Sequence, residues 1–384
     1  MKKTLHLALS QYKPIPPSLQ GTSVGSARTV IDLDLAGLYH HYYLDTYGTE
    51  PPFPDPAQFE HMRFLMPSDE LRFQGDGVGA STNAKRSKSS EMGQAFCRWF
   101  LHDHLGVKYF AHLDSLIGDN NANLYGFAVE RAAPGDIPDY LCSDGAGSVV
   151  LAEAKGRYTA VSFKSEEFSR WRQQFTRVRV LDAKGDAVRV KGHIVATRFA
   201  TESKPKVQSK LYAEDPSTEG RESISKDTAL LLSGQVIASH YADALMKLDQ
   251  PLLAFAIRRS LRLEQQIGIP VTIWRFAFEG NERYFVGGYY ARDTDQSLID
   301  LVGGKITRRS SDPFRLGVHA GTFVGIELKV FKHLVSVARG VRGLLEGLPE
   351  VEPVRDVYSG ISMLRDGSII GPLSMFMPLG FERF

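Results

Sequence analysis

The sequence predicts an α/β fold in which a helix, a mixed central sheet, a second helix and a further strand follow one another along the chain. Three observations predict it. Apolar residues recur at helical spacing over Ser90–Leu105 and about Ser165–Phe175, short β-prone runs lie between them, and another such run covers His193–Phe199. With 384 residues, 43% hydrophobic and 23% charged, the chain is long enough for more than one domain.

Residues 1–85 predict an irregular N-terminal arm or cap. Prolines cluster around residues 14–17 and 51–56, and proline at that density excludes long helices. Between the clusters, Val30–Tyr43 suits one helix or one strand. Residues 81–90, rich in serine, lysine and arginine, are expected to form an exposed loop that leads into the first helix.

Residues 86–212 are predicted to hold the α/β core. Ser89 or Ser90 is the expected N-cap of the first helix, Glu91 suits its positive end, and Gly106 ends it. The strands that follow are expected at Lys108–Leu113, Tyr125–Val129, Tyr140–Cys142 and Val149–Ala154.

Residues 213–384 predict a C-terminal α/β domain, set off by a linker-like segment at Asp215–Gly220. This domain is expected to bind nucleic acid, a partner protein of a multi-component system or a second copy of the chain. Its elements are expected at Ser225–Lys247 and Pro251–Gln266 as helices, Val271–Phe278, Tyr284–Tyr290 and Gly321–Val330 as strands, a helix to Leu345, and a hairpin at Asp366–Gly367.

The bulk composition excludes several classes of protein. Basic and acidic residues nearly balance, 46 against 44, so the overall charge does not indicate a protein that binds polyanions over its whole surface. Its two cysteines, Cys97 and Cys142, suggest neither a disulfide framework nor a cysteine zinc site. The apolar run Leu5–Leu9 is too short for a signal peptide, and no run approaches the roughly 20 apolar residues of a membrane span. We expect a cytoplasmic protein without a membrane anchor.

Two carboxylates and an ammonium group lie on two adjacent predicted strands. Asp139 begins one strand, and Glu153 and Lys155 share a face of the next because alternate residues of a strand point the same way. If the strands pair through the turn at Ser143–Ser148, all three groups converge. Ala152 and Ala154 then point to the opposite, buried side.

Such a cluster suits phosphodiester hydrolysis. A hard cation such as Mg²⁺, with Mn²⁺ as a substitute, prefers carboxylate and carbonyl oxygens, so Asp139, Glu153 and the main-chain carbonyl of Ala154 are the candidate ligands. Lys155 is the candidate residue for orienting or helping to deprotonate the attacking water and for stabilising charge on the phosphate.

Pro138-Asp139 followed by Glu153-Ala154-Lys155 resembles the PD-(D/E)XK phosphodiesterase superfamily, over about Ser90–Lys206. The resemblance implies a restriction-endonuclease-like core and a magnesium-dependent endonuclease, a hydrolase for which DNA is the first substrate and bacterial antiviral (antiphage) defence the preferred setting. It also implies a carboxylate from the preceding helix, here Glu91, and a glutamine from the following helix, here Gln173 or Gln174.

Local charge favours a polyanion near this motif. Between Arg157 and Lys210 there are 13 basic residues against 5 acidic ones. The alternative is a solvated basic face that binds nothing. The candidate residues for nucleic-acid binding are Arg157, Lys164, Arg170, Arg172 and Arg177.

Other interpretations stay open at this point. The chain is alternatively a non-catalytic nucleic-acid-binding or assembly protein on the same fold, an RNA or tRNA nuclease, or an unrelated α/β interaction protein in which the motif arose by chance. A second Glu-x-Lys pair, Glu327 and Lys329, follows Asp312 but lacks the Pro-Asp order, so it is interpreted as an ordinary strand. Neighbouring histidines, His102 among them, lack a closed ligand set for zinc.

Overall fold

The computed structural model describes residues 2–46, 48, 61, 64–118, 126–182, 184–217, 226–278, 281–291, 299–302, 305–308, 321–356 and 360–384. Two compact units emerge from the contacts along the chain. The larger contains the described residues of Lys2–Asp45 and Glu60–His240, and the smaller contains those of Thr46–Phe59 and Tyr241–Phe384.

The larger unit is built around one mixed sheet of seven strands. Its elements up to residue 217 are β1 (Lys2–Ser10), β2 (Val30–Asp34), α1 (Leu35–Thr46), β3 (Arg72–Phe73), α2 (Thr82–Leu105), β4 (Tyr109–His112), α3 (Leu113–Gly118), β5 (Ala128–Arg131), β6 (Tyr140–Ser143), β7 (Val149–Arg157), α4 (Glu166–Gln174), β8 (Val178–Leu181), β9 (Ala187–Val188), β10 (Lys191–Arg198), β11 (Ala200–Thr201) and β12 (Lys210–Glu214).

The strand order of this sheet is β2-β1-β12-β10-β7-β6-β4. Strand β7 runs parallel to β10 and β1 runs parallel to β12, whereas the other neighbours are antiparallel. The order along the chain of helix, strands, helix and strand is therefore the predicted one, and the mixed central sheet is confirmed. Strands β5, β8 and β9 form a separate small sheet.

Two helices cover opposite faces of the sheet. A side chain at Gly156 in β7 would point into Ser89 and Gly93 of α2, whereas one at Gly192 in β10 would point into Phe175, just after α4. Gly192 pairs with Leu151, so α4 lies over the face that carries the odd-numbered residues of β7. The two small residues at Gly93 and Gly156 allow α2 to approach β7 backbone to backbone.

The first helix of the core begins eight residues earlier than the sequence predicted. Ser81 is the N-cap and accepts a hydrogen bond from the Ala84 amide at 3.2 Å, so the predicted loop at 81–90 is helical and neither Ser89 nor Ser90 caps. Lysine and arginine favour helices, and this stretch contains no glycine or proline to interrupt one. Gly106 ends the helix in the left-handed conformation with φ 76°, as predicted.

The predicted N-terminal arm supplies two strands of the sheet. Leu5 and Leu7 are buried and alternate with partly exposed positions along β1, which is the pattern of a half-buried strand. The segment Val30–Tyr43 is both a strand and a helix, β2 and then α1, rather than one element. Asp34 joins them, because its carboxylate accepts hydrogen bonds from the amides of Ala36 and Gly37.

The smaller unit contains a second sheet of seven strands, all antiparallel, in the order β18-β19-β20-β17-β14-β13-β21. Helix α5 (Lys226–Lys247) belongs to the larger unit up to His240 and to the smaller unit from Tyr241. The later elements are α6 (Pro251–Arg259), β13 (Pro270–Phe278), β14 (Asn281–Ala291), β15 (Ile299–Val302), β16 (Lys305–Arg308), β17 (Gly321–Glu327), α7 (Leu328–Ala338), β18 (Val354–Asp356), β19 (Ile361–Met363), β20 (Ser368–Pro372) and β21 (Phe376–Arg383).

Three C-terminal boundaries differ from the predicted ones. Helix α6 ends at Arg259 instead of Gln266, because the next residue, Ser260, adopts a left-handed conformation with φ 47°. Helix α7 ends at Ala338 instead of Leu345. Glu327 is the last residue of β17 and occupies the N-cap position of α7, so the second Glu-x-Lys pair lies at a strand-to-helix junction and not in a strand. Asp312 lies outside the described residues. The hairpin at Asp366–Gly367 is confirmed, with Gly367 at φ 90°.

Among the helices of the described ranges, none combines the length and the apolar character that a membrane crossing requires.

Substitution of Gly93 by alanine is expected to destabilise the larger unit by about 1–3 kcal/mol, because the new methyl group would collide with the main chain of β7 at Gly156. In an exposed helix the same change stabilises. Urea unfolding measures the difference, with Ser90→Ala on the exposed side of α2 as the control. Unchanged stability in Gly93→Ala would contradict the close packing of α2 on β7.

Candidate active site

A tight turn brings the predicted motif together. The Asp144 carboxylate accepts hydrogen bonds from the amides of Ala146 and Ser148, at 2.8 and 2.9 Å, and Gly145 and Gly147 adopt positive φ angles that glycine tolerates. The turn sets the register of β6 against β7.

That register decides which residues meet. Tyr140 lies opposite Ala152, and the next position in each direction is occupied by Asp139 and Glu153. Lys155 follows on the same face of β7, while Ala152 and Ala154 are buried on the other face, as the sequence predicted. Asp139, Glu153 and Lys155 therefore form one cluster, which we call the acid–lysine cluster.

The Asp139 carboxylate is held by two donors. The main-chain amide of Ala154 donates to Oδ2 at 2.7 Å, and the side-chain amide of Gln94 lies 3.5 Å from Oδ1. The first bond ties Asp139 to the strand that carries Glu153. The second ties it to α2.

The Glu153 carboxylate is buried, with a side-chain exposure of 0%, and forms an ion pair with the ammonium group of Lys155. Apart from its contacts with Lys155 and Asp139, no hydrogen bond to its oxygens is present within the described part of the chain. Lys155 is 31% exposed, so the cluster has a buried acidic end and an end that reaches solvent. A buried carboxylate calls for a cationic partner, and Lys155 is that partner within the described part of the chain.

The surroundings of Glu153 and Lys155 shift the pKa values of both groups. Burial and then the charge of Asp139 raise the pKa of Glu153 well above its usual range, against the opposing effect of Lys155. Burial alone would lower the pKa of Lys155, but Glu153 and Asp139 outweigh it and the pKa lies above its usual value. Lys155 therefore remains protonated, and Glu153 is the group whose ionisation is disfavoured.

A buried network positions the start of β6. The Tyr140 hydroxyl donates to Asp45 Oδ1 at 2.5 Å, and Arg98 and His112 form ion pairs with the same carboxylate, each at 3.3 Å. Burial opposes ionisation of Asp45, but these three partners together lower its pKa below the usual value. Arg177 holds the preceding loop by donating to the carbonyl of Asp136 at 2.9 Å.

The carboxylate that the resemblance implies on the preceding helix, Glu91, lies away from the acid–lysine cluster. Glu91 contacts Tyr42, Ser87 and Lys88, and no described hydrogen bond joins it to the acid–lysine cluster. Gln94 contacts Asp139 instead. It lies three residues further along α2 and on the same side of the helix, so the helical spacing from Glu91 was the signal that would have found it.

The glutamines of α4 divide between surface and interior. Gln173 is exposed, whereas Gln174 is 3% exposed and its carbonyl oxygen has no hydrogen-bond partner within the described ranges. No described contact joins either of them to Asp139, Glu153 or Lys155.

Three of the five predicted nucleic-acid-binding residues have structural partners. Arg157 forms a two-armed ion pair with Glu167, Arg172 binds the buried Glu214 at 2.6 and 2.9 Å, and Arg177 holds the loop before Asp139. These bonds fix the side chains and offset much of the local positive charge. Two of the predicted residues are solvent-exposed: Lys164 and Arg170.

Another group of potential metal ligands lies between α1 and α2. Donor atoms of His41, His102 and Asp103 lie within 4.8 Å of one another, and both histidines are buried. Asp103 is already engaged by the Nδ1 atom of His102 at 2.8 Å. This group does not share a residue with the acid–lysine cluster.

Comparisons of the chain with protein-family models, with curated proteins and with solved structures gave no significant match.

The pH dependence of stability is expected to report the burial of Glu153. A carboxyl group whose pKa is raised on folding stabilises the protein at low pH, and this contribution is lost as the pH rises through the raised pKa. Without divalent cations, the contribution of Glu153 to stability therefore falls from about pH 5 upwards, since the ordinary pKa of glutamate is about 4.3. Glu153→Gln removes that contribution, so the variant gains stability relative to wild type as the pH rises.

The control is Glu167→Gln, because Arg157 lowers the pKa of Glu167 and the sign is reversed. That pair stabilises the protein above the usual glutamate pKa, so this variant loses up to about 1 kcal/mol near neutral pH. Urea unfolding in EDTA at several pH values measures both effects. A Glu153→Gln variant with the same pH profile as wild type would contradict the electrostatics of the cluster.

Proposed function

We propose that the chain is a metal-dependent nuclease of the PD-(D/E)XK, restriction-endonuclease-like type, which hydrolyses phosphodiester bonds. The observation that carries the proposal is the convergence of Asp139, Glu153 and Lys155 on one face of the central sheet. The order of helix, strands, helix and strand around this cluster supports the same interpretation. Bacterial antiphage defence is the setting that goes with it.

The residues of the cluster fit a hard divalent cation. Glu153 offers two buried oxygens that contact Lys155 and Asp139, and Asp139 has lone pairs that the amide of Ala154 and the side chain of Gln94 do not use up. Asp139 and Glu153 would hold Mg²⁺, with the carbonyl of Ala154 as the third candidate ligand. When bound, the cation would offset the charge that grows on the phosphate and lower the pKa of a coordinated water.

Lys155 is the candidate residue for orienting the attacking water or helping to deprotonate it. In the free protein, Glu153 and Asp139 raise the pKa of Lys155, so it carries a positive charge before a cation binds. It acts as an ammonium group that neutralises the scissile phosphate and orients the water. Its 31% exposure allows it to reach a substrate in solvent while it remains paired with Glu153.

Other groups position the cluster. The Ala154 amide and Gln94 fix the orientation of Asp139, and Arg177 and the Tyr140–Asp45 bond hold the segment that carries it. Lys164 and Arg170 are exposed at α4, the helix over the same face of the sheet, and would contact the backbone of DNA. Phosphate contacts of this kind are common to DNA and RNA, so cleavage of RNA is the alternative outcome of the assay.

Replacement of Lys155 by alanine is expected to lower cleavage by about 100-fold or more, because the substitution removes charge stabilisation at the phosphate while leaving most nucleic-acid contacts intact. The matched control is Lys329→Ala, which changes the other Glu-x-Lys pair and should cleave at the wild-type rate. The assay uses supercoiled plasmid, linear duplex, single-stranded DNA and RNA, each with Mg²⁺, Mn²⁺ or EDTA. Binding is measured separately, by electrophoretic mobility shift.

The outcomes separate the alternatives. Cleavage that requires a cation and Lys155, but not Lys329, supports the nuclease. Equal rates in both variants would remove Lys155 from the mechanism. Binding of nucleic acid by the wild type without cleavage of any substrate would favour the non-catalytic binding protein.

A further inference from the structure

The larger unit contains a cavity of about 950 Å³ below α4, walled by β8, β9 and the segments that follow β1 and β12. Its lining is about evenly polar and apolar, and Leu151 and Phe175 are among the apolar residues. Polar groups come from Gln11, Thr176 and Ser217. Cavities of this size and composition typically take a small molecule with a flat apolar part and a few hydrogen-bonding groups.

The cavity lies next to the acid–lysine cluster on the same face of the sheet. Leu151 precedes Glu153 by two residues on β7, so their side chains point the same way and lie about 7 Å apart along the strand. The base of a nucleotide can span that distance from a phosphate held at the cluster. The cluster residues do not line the cavity themselves, so Leu151 is the lining residue that connects the cavity with the cluster.

The charge of the lining complements a phosphate ester. Three arginines, Arg172, Arg179 and Arg189, contribute to it, and none of its described residues is acidic. Arg172 is held by Glu214, but Arg179 pairs with Glu130 at the surface, at 3.1 Å, where the two side chains are 57% and 43% exposed. An exposed ion pair contributes little free energy, so a phosphate can replace Glu130 as the partner of Arg179.

We infer that this cavity receives one unstacked nucleotide of the substrate, next to the scissile phosphate. This inference rests on the proposed nuclease function. The apolar walls and Phe175 cover the base, and the arginines hold the flanking phosphates. A base can enter only after it leaves its stack, which costs least in single strands and at unpaired positions. The substrate class is therefore nucleic acid with a single-stranded or unpaired nucleotide at the cleavage site.

The first test measures binding without cleavage. Isothermal titration calorimetry of the full chain in EDTA compares deoxynucleoside monophosphates with deoxyribose 5-phosphate and inorganic phosphate. We expect the nucleotides to bind at least about 10-fold more tightly than either control. Thr176→Trp, which fills the cavity from an exposed position, should weaken nucleotide binding at least about 10-fold. Ser169→Trp is the matched control on the exposed surface of α4 and should bind as wild type does.

The second test measures substrate preference. Wild type should cleave single strands, and duplexes with one unpaired nucleotide, at least about 10-fold faster than a fully paired duplex. Thr176→Trp should lose that preference, and Ala187→Trp, which blocks the cavity from β9, serves as an independent variant should the first fail to fold.

The results distinguish the two proposals. Nucleotide binding that Thr176→Trp abolishes, without cleavage of any substrate, would support the cavity and overturn the nuclease. Cleavage at equal rates on paired and unpaired substrates, or phosphate binding as tight as nucleotide binding, would overturn the cavity assignment and leave the nuclease standing.

Discussion

Glu153 and Asp139 are two carboxylates held side by side, one of them fully buried, in the middle of the central sheet. Placing them together costs electrostatic free energy, since burial and like charge both oppose ionisation. The β6–β7 turn imposes that arrangement through its register, and Lys155 offsets it only in part. Sites that bind cations are commonly built in this way, with stability given up in the free protein and recovered when the ligand binds.

The neighbouring elements hold this pair in place. Helix α2 approaches β7 through glycines on one face of the sheet and supplies Gln94. Helix α4 covers the other face and is bound to the sheet by the Arg172–Glu214 ion pair. The buried Asp45 network fixes Tyr140, one residue after Asp139. The packing of α2 and α4, the contacts that position Asp139 and the cavity beside Leu151 all involve β7 or residues next to it.

Much of this could be predicted from local pattern. The alternation of Glu153 and Lys155 with buried alanines, and the glycine-rich turn, were sufficient to predict the cluster. Long-range features were not predictable. Nothing near Leu5 signals that β1 pairs with β12, about 200 residues away, and Arg172 looked like a free cation because its partner, Glu214, is distant in sequence. The early start of α2 is not predicted because its first turns are polar. Gln94 is not predicted because the resemblance implies a carboxylate on this helix, and Glu91 is the candidate acidic residue there.

The most direct test is the position of a bound cation. Crystals of the full chain grown with Mn²⁺ and measured near the manganese absorption edge would locate it by anomalous scattering. We expect a peak about 2 Å from carboxylate oxygens of both Asp139 and Glu153, absent in Asp139→Ala. A peak confined to the group of His41, His102 and Asp103, or no peak at the acid–lysine cluster at millimolar Mn²⁺, would contradict the proposed metal-dependent chemistry.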